Sequence, residues 1–543
     1  MRFAPTILTD LRLTDYLQHE CNQHDPGEYD SPLRFLQTYD SQTTFSMNVI
    51  STTRANAIRP YDSYRLTTYR LTTYRLTTSK LTDLLPYSML FPSLIGHSAE
   101  LLRIICKSPQ PADSVAGEYF RSHKYIGSKE RKFVSETVFA ALRMKSCAEF
   151  CAHCDAPTVP LEAEIKLVLA TCMLGEKMGV FSPQKLLHPS FVQGDGPLPP
   201  VAEVCAETLR LRCEMTMPEA TVWMQEAETL YEQIKSENNW KFNCLPEWIA
   251  DSLAPDAPAI SKALLPSASV GLRVNSRAIS RERALAELAK IGIAASPSTL
   301  VPDGILLEQR VQLSQVELYK SGAIEVQDIG SQLIGYAVAP EEHWTVLDAC
   351  AGAGGKSLHL AALQNDLGEI IGTDVEFNRL KELDFRAQRA GLRSVRTLLL
   401  LPKNAKQLEK LHGKCDAVLV DAPCSGLGTA RRMPMVKWRL TPQLVDKLAK
   451  KQREILTEKS KFVRKGGVLI YATCSLLPQE NERVVEDFLA QNPQFEPEPL
   501  TPVFEQFGIT VAGLGADDYY CTLDPFHHGT DGFFMARMRY VGT

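Results

Sequence analysis

The sequence predicts an α/β protein: a doubly wound parallel sheet at the C-terminal end, preceded by a small α+β module and an all-helical region. Three observations carry that expectation. From about 331 to 543, strand-like apolar runs alternate with amphipathic helical patterns, and such alternation builds a parallel sheet covered on both faces. From about 96 to 236, apolar residues recur at three- and four-residue spacing, which is the period of a helix face. Between 240 and 330 both patterns share one short stretch.

In chain order, residues 1–95 are compositionally odd. YRLTTYRLTTYRLTT (64–78) repeats a five-residue unit three times without variation. A period of five matches neither helix nor strand, and few residues here could form a core. The expectation is a disordered or spurious extension, with Met89 as a candidate start; an Arg/Tyr-rich tail that touches RNA is the other reading. Residues 96–236 follow with AELLRIICK (99–107), RKFVSETVFAALRMK (131–145), AEIKLVLATCMLGEK (163–177) and ATVWMQEAETLYEQIK (220–235). Within 118–145, Arg121, Lys124, Lys129, Arg131, Lys132, Arg143 and Lys145 stand against Glu118, Glu130 and Glu136, with Tyr119, Phe120 and Tyr125 between them. An RNA-contacting face and a solvated helix surface explain this equally well.

Residues 240–330 read as strand (SVGLRVN), helix (SRERALAELAKIG) and strand (DGILLEQ). The last region, 331–543, supplies strands TVLDACA, EIIGTDV, CDAVLVDA and GGVLIYATC, with helices between them. In such sheets ligands bind at the carboxyl ends of the strands.

The totals bound the function. The net charge of −5 over 543 residues excludes a uniformly basic nucleic-acid binder, though not a local basic patch. Fourteen irregularly spaced cysteines, behind an N-terminus that carries acids and no clean apolar run, read as free thiols in a reducing cytoplasm. No run approaches the ~18 apolar residues of a membrane span.

DACAGAGGKS (348–357) leaves a strand and opens a helix, so its glycines let backbone approach a ligand. Asp374 follows 26 residues after Asp348, at the end of the next strand, where an acid suits a ribose diol. A dinucleotide and S-adenosylmethionine both fit. Cys424 in DAPCSG (421–426) and Cys474 in YATCS (471–475) each end a buried strand. Hydride transfer has no use for two thiols there, which favours S-adenosylmethionine. Methylation of a pyrimidine at carbon 5 does use them: a thiolate adding to carbon 6 makes carbon 5 nucleophilic, and a second group assists the later elimination. Asp421, three residues before Cys424, suits the ring N3 and N4.

Residues 431–465 hold twelve Lys/Arg and three acids, a balance of +9. Arg431, Arg432, Lys437 and Arg439 precede the helix there, and phosphate contact is the favoured reading. Trp438 could stack on a base or sit in the core. The target base would have to be unpaired or flipped out.

DACAGAGGK, DAPCSGLGTARRMPMVKW, YATCSLLPQENERVV and VQDIGSQL (326–333) resemble the Sun/RsmB-type bacterial 16S rRNA (cytosine-5) methyltransferases. RSHKYIGSKERKFVSETVFAALR resembles the NusB-like RNA-binding domain of that type. The resemblance implies a C-terminal Rossmann-like S-adenosylmethionine-dependent methyltransferase domain behind an α+β module and a NusB-like helical domain. It implies Cys474 as nucleophile, Cys424 in product release, and Asp421 between cofactor and cytosine. It gives cofactor binding to Cys350, Ala351, Gly352, Ala353, Gly354, Gly355, Lys356, Asp374 and Asp421, with 16S rRNA as substrate. Two positions depart from the family pattern: Gly352 and Ala353 replace Ala and Pro of a CAAPGGK loop, and Asn404 stands where an acid contacts the adenine. A monomer without metal, DNA or membrane partner is expected.

Three rivals remain. CAEFCAHC (147–154) has the CxxxCxxC spacing of an iron–sulfur ligand set, but it continues a helical pattern. A DNA cytosine-5 methyltransferase would place its nucleophile in the Pro-Cys motif. A non-catalytic ribosome-assembly factor would bind RNA alone.

Overall fold

The computed structural model describes residues 34–38, 44–52, 69–77, 90–153, 159–186, 200–237 and 240–542. The first three segments are strands β1 (Arg34–Thr38), β2 (Thr44–Thr52) and β3 (Tyr69–Thr77), paired antiparallel in that order. Strand β3 runs through the YRLTT repeat. The period alone predicts neither helix nor strand, but Tyr and Thr dominate the segment and both favour extended backbone. Met89 lies outside the described residues.

The helical region starts at Leu90, with α1 (Leu90–Lys107), α2 (Ala112–Ser122), α3 (Ser128–Arg143), α4 (Lys145–Ala152), α5 (Glu162–Leu174), α6 (Val201–Arg212) and α7 (Met217–Ser236). Their apolar stripes meet in one core that includes Ile95, Leu102, Phe133, Val138, Leu142, Leu169, Leu209 and Tyr231. Cys147 and Cys151 of the CxxxCxxC stretch are buried in that core on α4, whereas Cys154 lies outside the described residues. Of the basic stretch at 118–145, Arg121, Lys124, Lys129 and Lys132 are exposed beside Tyr125, whereas Tyr119 and Arg143 are buried.

The middle module is an antiparallel sheet of β4 (Val270–Val274), β5 (Ala295–Pro297), β6 (Gly304–Leu307) and β7 (Ile324–Val326), in the order β5-β6-β4-β7. Helix α8 (Arg281–Lys290) covers it with Ala284 and Leu288 and begins at Ser280, whose hydroxyl accepts the Arg283 N–H.

Five parallel strands make the centre of the last region: β8 (Thr345–Asp348), β9 (Glu369–Asp374), β10 (Val395–Leu399), β11 (Cys415–Asp421) and β12 (Val463–Thr473). Their inner residues, such as Val346, Ile371, Leu419 and Ile470, are buried on both sheet faces. Helices α9 (Ile329–Val338), α10 (Gly355–Leu363), α11 (Phe377–Arg389), α12 (Pro442–Ser460) and α13 (Glu482–Gln491) belong to the same region. Strands β13 (Phe495–Pro497), β14 (Tyr520–Leu523) and β15 (Phe533–Tyr540) extend the sheet antiparallel, giving β10-β9-β8-β11-β12-β15-β13 with β14 on β15. The order reverses beside β8, and the crevice at such a switch point is where open α/β sheets bind ligands.

The segment between β11 and α12 corrects the phosphate-contact expectation. Arg431 and Arg432 both pair with the buried Asp531, and Arg432 also reaches Asp328. Lys437 is fully buried and donates to the carbonyls of Arg143 and Cys244 at 2.9 and 2.8 Å. Arg439 donates to the carbonyls of Ile105, Ser108, Pro109 and Gln110 at the end of α1. Trp438 donates its indole N–H to Leu142 O at 2.7 Å and packs on the helical core, which removes it as a base-stacking platform. These side chains satisfy internal acceptors and join the helical region to the sheet domain.

Candidate active site

Strand register brings the two cysteines together. In the parallel pair β11–β12, Asp421 lies opposite Ala472. Cys424 follows three residues after Asp421, and Cys474 two residues after Ala472. Both therefore emerge at the same sheet edge, and their sulfurs stand 3.4 Å apart. They end a cavity of about 920 Å³ whose wall also includes Cys350, Ala351, Gly352, Ala353, Asp374, Asn404 and Asp421.

The glycine turn shapes that wall. Gly354 has φ +84°, and a Cβ there would stand 2.0 Å from Leu383 Cδ1, so only glycine allows this packing. Gly352 has φ +54° with nothing within 4 Å of the space a Cβ would fill, which leaves the backbone open to a ligand. Its N–H donates to Asp374 Oδ2 at 3.0 Å, and the Glu376 N–H donates to Oδ1 at 2.8 Å. The carboxylate is thus fixed at the cavity wall. Beneath the turn, Asp348 accepts the Ser357 hydroxyl at 2.6 Å, and burial pushes its carboxyl up to about 6.

Gly354, Gly355 and Lys356 of the predicted loop do not line the cavity. Lys356 instead places its ammonium 2.5 Å from Asp421 Oδ2. That cation stands near Cys474. The Cys474 thiol is held below its ordinary value chiefly by the hydrogen bond with Cys424; Lys356 helps, while burial and the Asp421 carboxylate work against it. The same bond, then burial, raises Cys424. A thiolate at Cys474 with a thiol at Cys424 is the arrangement a nucleophile requires.

Across the cavity, Leu399, Leu400, Leu401, Pro402 and Leu408 form an apolar wall. Asn404 belongs to it and donates its amide N–H to Leu399 O at 2.8 Å. Lys451 and Lys459 of α12 also line the cavity.

Sequence reasoning missed the groups that hold the cysteine loops. Glu480 and Asn481 are fully buried. Glu480 Oε1 accepts the Ser425 N–H at 2.8 Å and the Gln452 amide at 3.0 Å, while Oε2 accepts the Ser475 hydroxyl at 2.6 Å. Asn481 accepts the Thr473 hydroxyl at 2.6 Å and donates to Ser475 O at 3.0 Å. The available signal was PQENERVV (478–485), whose Glu480 lies five residues beyond the second cysteine motif. It places an acid and an amide at the start of a helix whose other residues are apolar or solvent-like.

Comparison with known proteins places this geometry. Residues 335–539 match the family described as 16S rRNA methyltransferase RsmB/F, and residues 245–314 match the ferredoxin-like domain of RsmF/B-like methyltransferases. The probable ribosomal RNA small subunit methyltransferase B of Bacillus subtilis is 33% identical over 304 residues, which cover 55% of this chain and 66% of that protein. The chain thus spans just under two thirds of that relative. The ribosomal RNA small subunit methyltransferase B of Xanthomonas campestris is 30% identical over 416 residues, covering 75% of this chain and 88% of that protein. The crystal structure of PH0851 shares the fold, with a TM-score of 0.61 at 21% identity over 82% of this chain and 98% of that one.

Proposed function

Because the chain belongs to the ribosomal RNA small subunit methyltransferase B family, we propose that it methylates carbon 5 of a cytosine in RNA, with 16S rRNA as the substrate. The observation that carries the reading is the pair of sulfurs 3.4 Å apart at the mouth of a cofactor-sized cavity. S-adenosylmethionine, when bound, supplies an electrophilic methyl group. Cys350 to Ala353 would cradle it, Asp374 would accept its ribose hydroxyls, and Asn404 with the leucine wall would border its adenine. The open space beside Gly352 fits such a ligand.

The Cys474 thiolate adds to carbon 6 of the cytosine, which makes carbon 5 enamine-like and nucleophilic. Asp421 holds the ring N3 and N4 side, and Lys356 keeps that carboxylate in place. Once carbon 5 carries the methyl group, its proton must leave and the carbon–sulfur bond must break. Cys424 takes that proton as general base, after its own thiol proton has passed to solvent. Its thiol is raised in the resting site chiefly by the bond to Cys474, and that restraint ends when Cys474 becomes a thioether. The electron pair then returns to the Cys474 sulfur and restores the aromatic ring.

The test is methylation of unmodified 16S RNA with S-adenosylmethionine, followed by nuclease digestion and mass spectrometry of the nucleosides. The expected product is 5-methylcytidine. A methyl group on another atom, or none on free RNA or on small-subunit particles, contradicts the reading.

A further inference from the structure

We propose that Glu480 is a positioning residue, whose carboxylate holds both cysteine loops at reacting distance and biases the ionisation of the thiol pair. This rests on the two-thiol reading above. One carboxylate grips the residue after each cysteine: Ser425 through its N–H and Ser475 through its hydroxyl. The two serine oxygens are themselves 3.1 Å apart. Gln452 links the same carboxylate to Pro423 O, the residue before Cys424, at 3.1 Å. Tyr471 donates to Glu480 O at 2.6 Å and so ties the carboxylate's backbone to β12.

Burial makes the arrangement expensive unless the charge is used. Glu480 has no exposed surface, and among the described residues it makes no ion pair. Removing a carboxylate from water is costly even when donors surround it. A neutral amide or hydroxyl could bridge two loops at lower cost. What the carboxylate adds is a negative charge near both sulfurs, which works against ionisation of each. The other ionisable groups facing the pair are Lys356 of α10, Asp421 of β11 and Tyr471 of β12. Lys356 thus favours the Cys474 thiolate, and Asp421 and Glu480 oppose it.

The experiment compares Glu480→Gln and Glu480→Asp in the full chain. Cys474 alkylation by iodoacetamide is followed against pH by peptide mapping, without RNA or cofactor, alongside kcat and the KM for S-adenosylmethionine. Glu480→Gln should move the alkylation midpoint to lower pH, because a negative charge has gone; Glu480→Asp should leave it unchanged. Both should lower kcat by about 100-fold, the scale of an ångström-sized misplacement, with KM within about twofold. An unmoved midpoint in Glu480→Gln, or a wild-type kcat in both variants, overturns the proposal. If neither variant folds, Ser475→Ala removes one donor and keeps the charge: lowered kcat with an unmoved midpoint is expected, and wild-type kcat overturns it. The alkylation profile needs no RNA, so it separates failure of this proposal from failure of the proposed reaction.

Discussion

Lys356 shows what single residues contribute and what a sequence can say of them. The family resemblance gives it to the cofactor, and its ammonium meets Asp421 and stands near Cys474. A cation favours the thiolate, so removing it must raise the thiol. Lys356→Met should therefore move the Cys474 alkylation midpoint to higher pH. A rise of one unit would cut the thiolate fraction at neutral pH about tenfold, and methylation should fall to match. The cysteines themselves were legible because each ends an apolar strand within a distinctive motif. Glu480 was not, since its partners Ser425 and Gln452 lie 55 and 28 residues away, and no local pattern announces a contact of that separation.

At the scale of elements, the basic segment 431–465 divides in two. Arg431, Arg432, Lys437 and Arg439 are consumed by internal acceptors. A charge count along the chain cannot foresee this, because the acceptors of Arg439 lie about 330 residues away. Of the cations left at the surface, Lys447, Lys450 and Lys451 sit on α12, with Lys461, Arg464 and Lys465 beyond its end, and Lys451 borders the cavity. The three- and four-residue spacing of the α12 lysines puts them on one face. If they meet phosphates, replacing all three with Ala should weaken RNA binding and flatten its salt dependence by about 2 in the log–log slope. Equilibrium binding across a salt series checks this; an unchanged slope would move the phosphate contact elsewhere.

For the molecule as a whole, the strand–helix alternation gave the parallel centre of the sheet, because strands buried on both faces leave continuous apolar runs such as VLV and VLI. The antiparallel edge of β13 to β15 was not foreseen: its strands are short and separated by irregular stretches. Nor could periodicity show that the helical region and the sheet domain share an interface. Trp438, reaching Leu142 O from the segment before α12, belongs to that interface. Trp438→Ala should loosen it, so that calorimetry resolves two unfolding transitions where the wild type gives one; one unsplit transition at the wild-type temperature would contradict this.

In the proposed reaction Cys474 attacks and Cys424 releases. The most direct measurement incubates Cys424→Ala and Cys474→Ala with unmodified 16S RNA and S-adenosylmethionine and resolves the products on denaturing gels. A denaturant-resistant protein–RNA adduct is expected with Cys424→Ala, and neither adduct nor methylation with Cys474→Ala. An adduct that forms only when Cys474 is replaced would contradict this expectation and exchange the two roles.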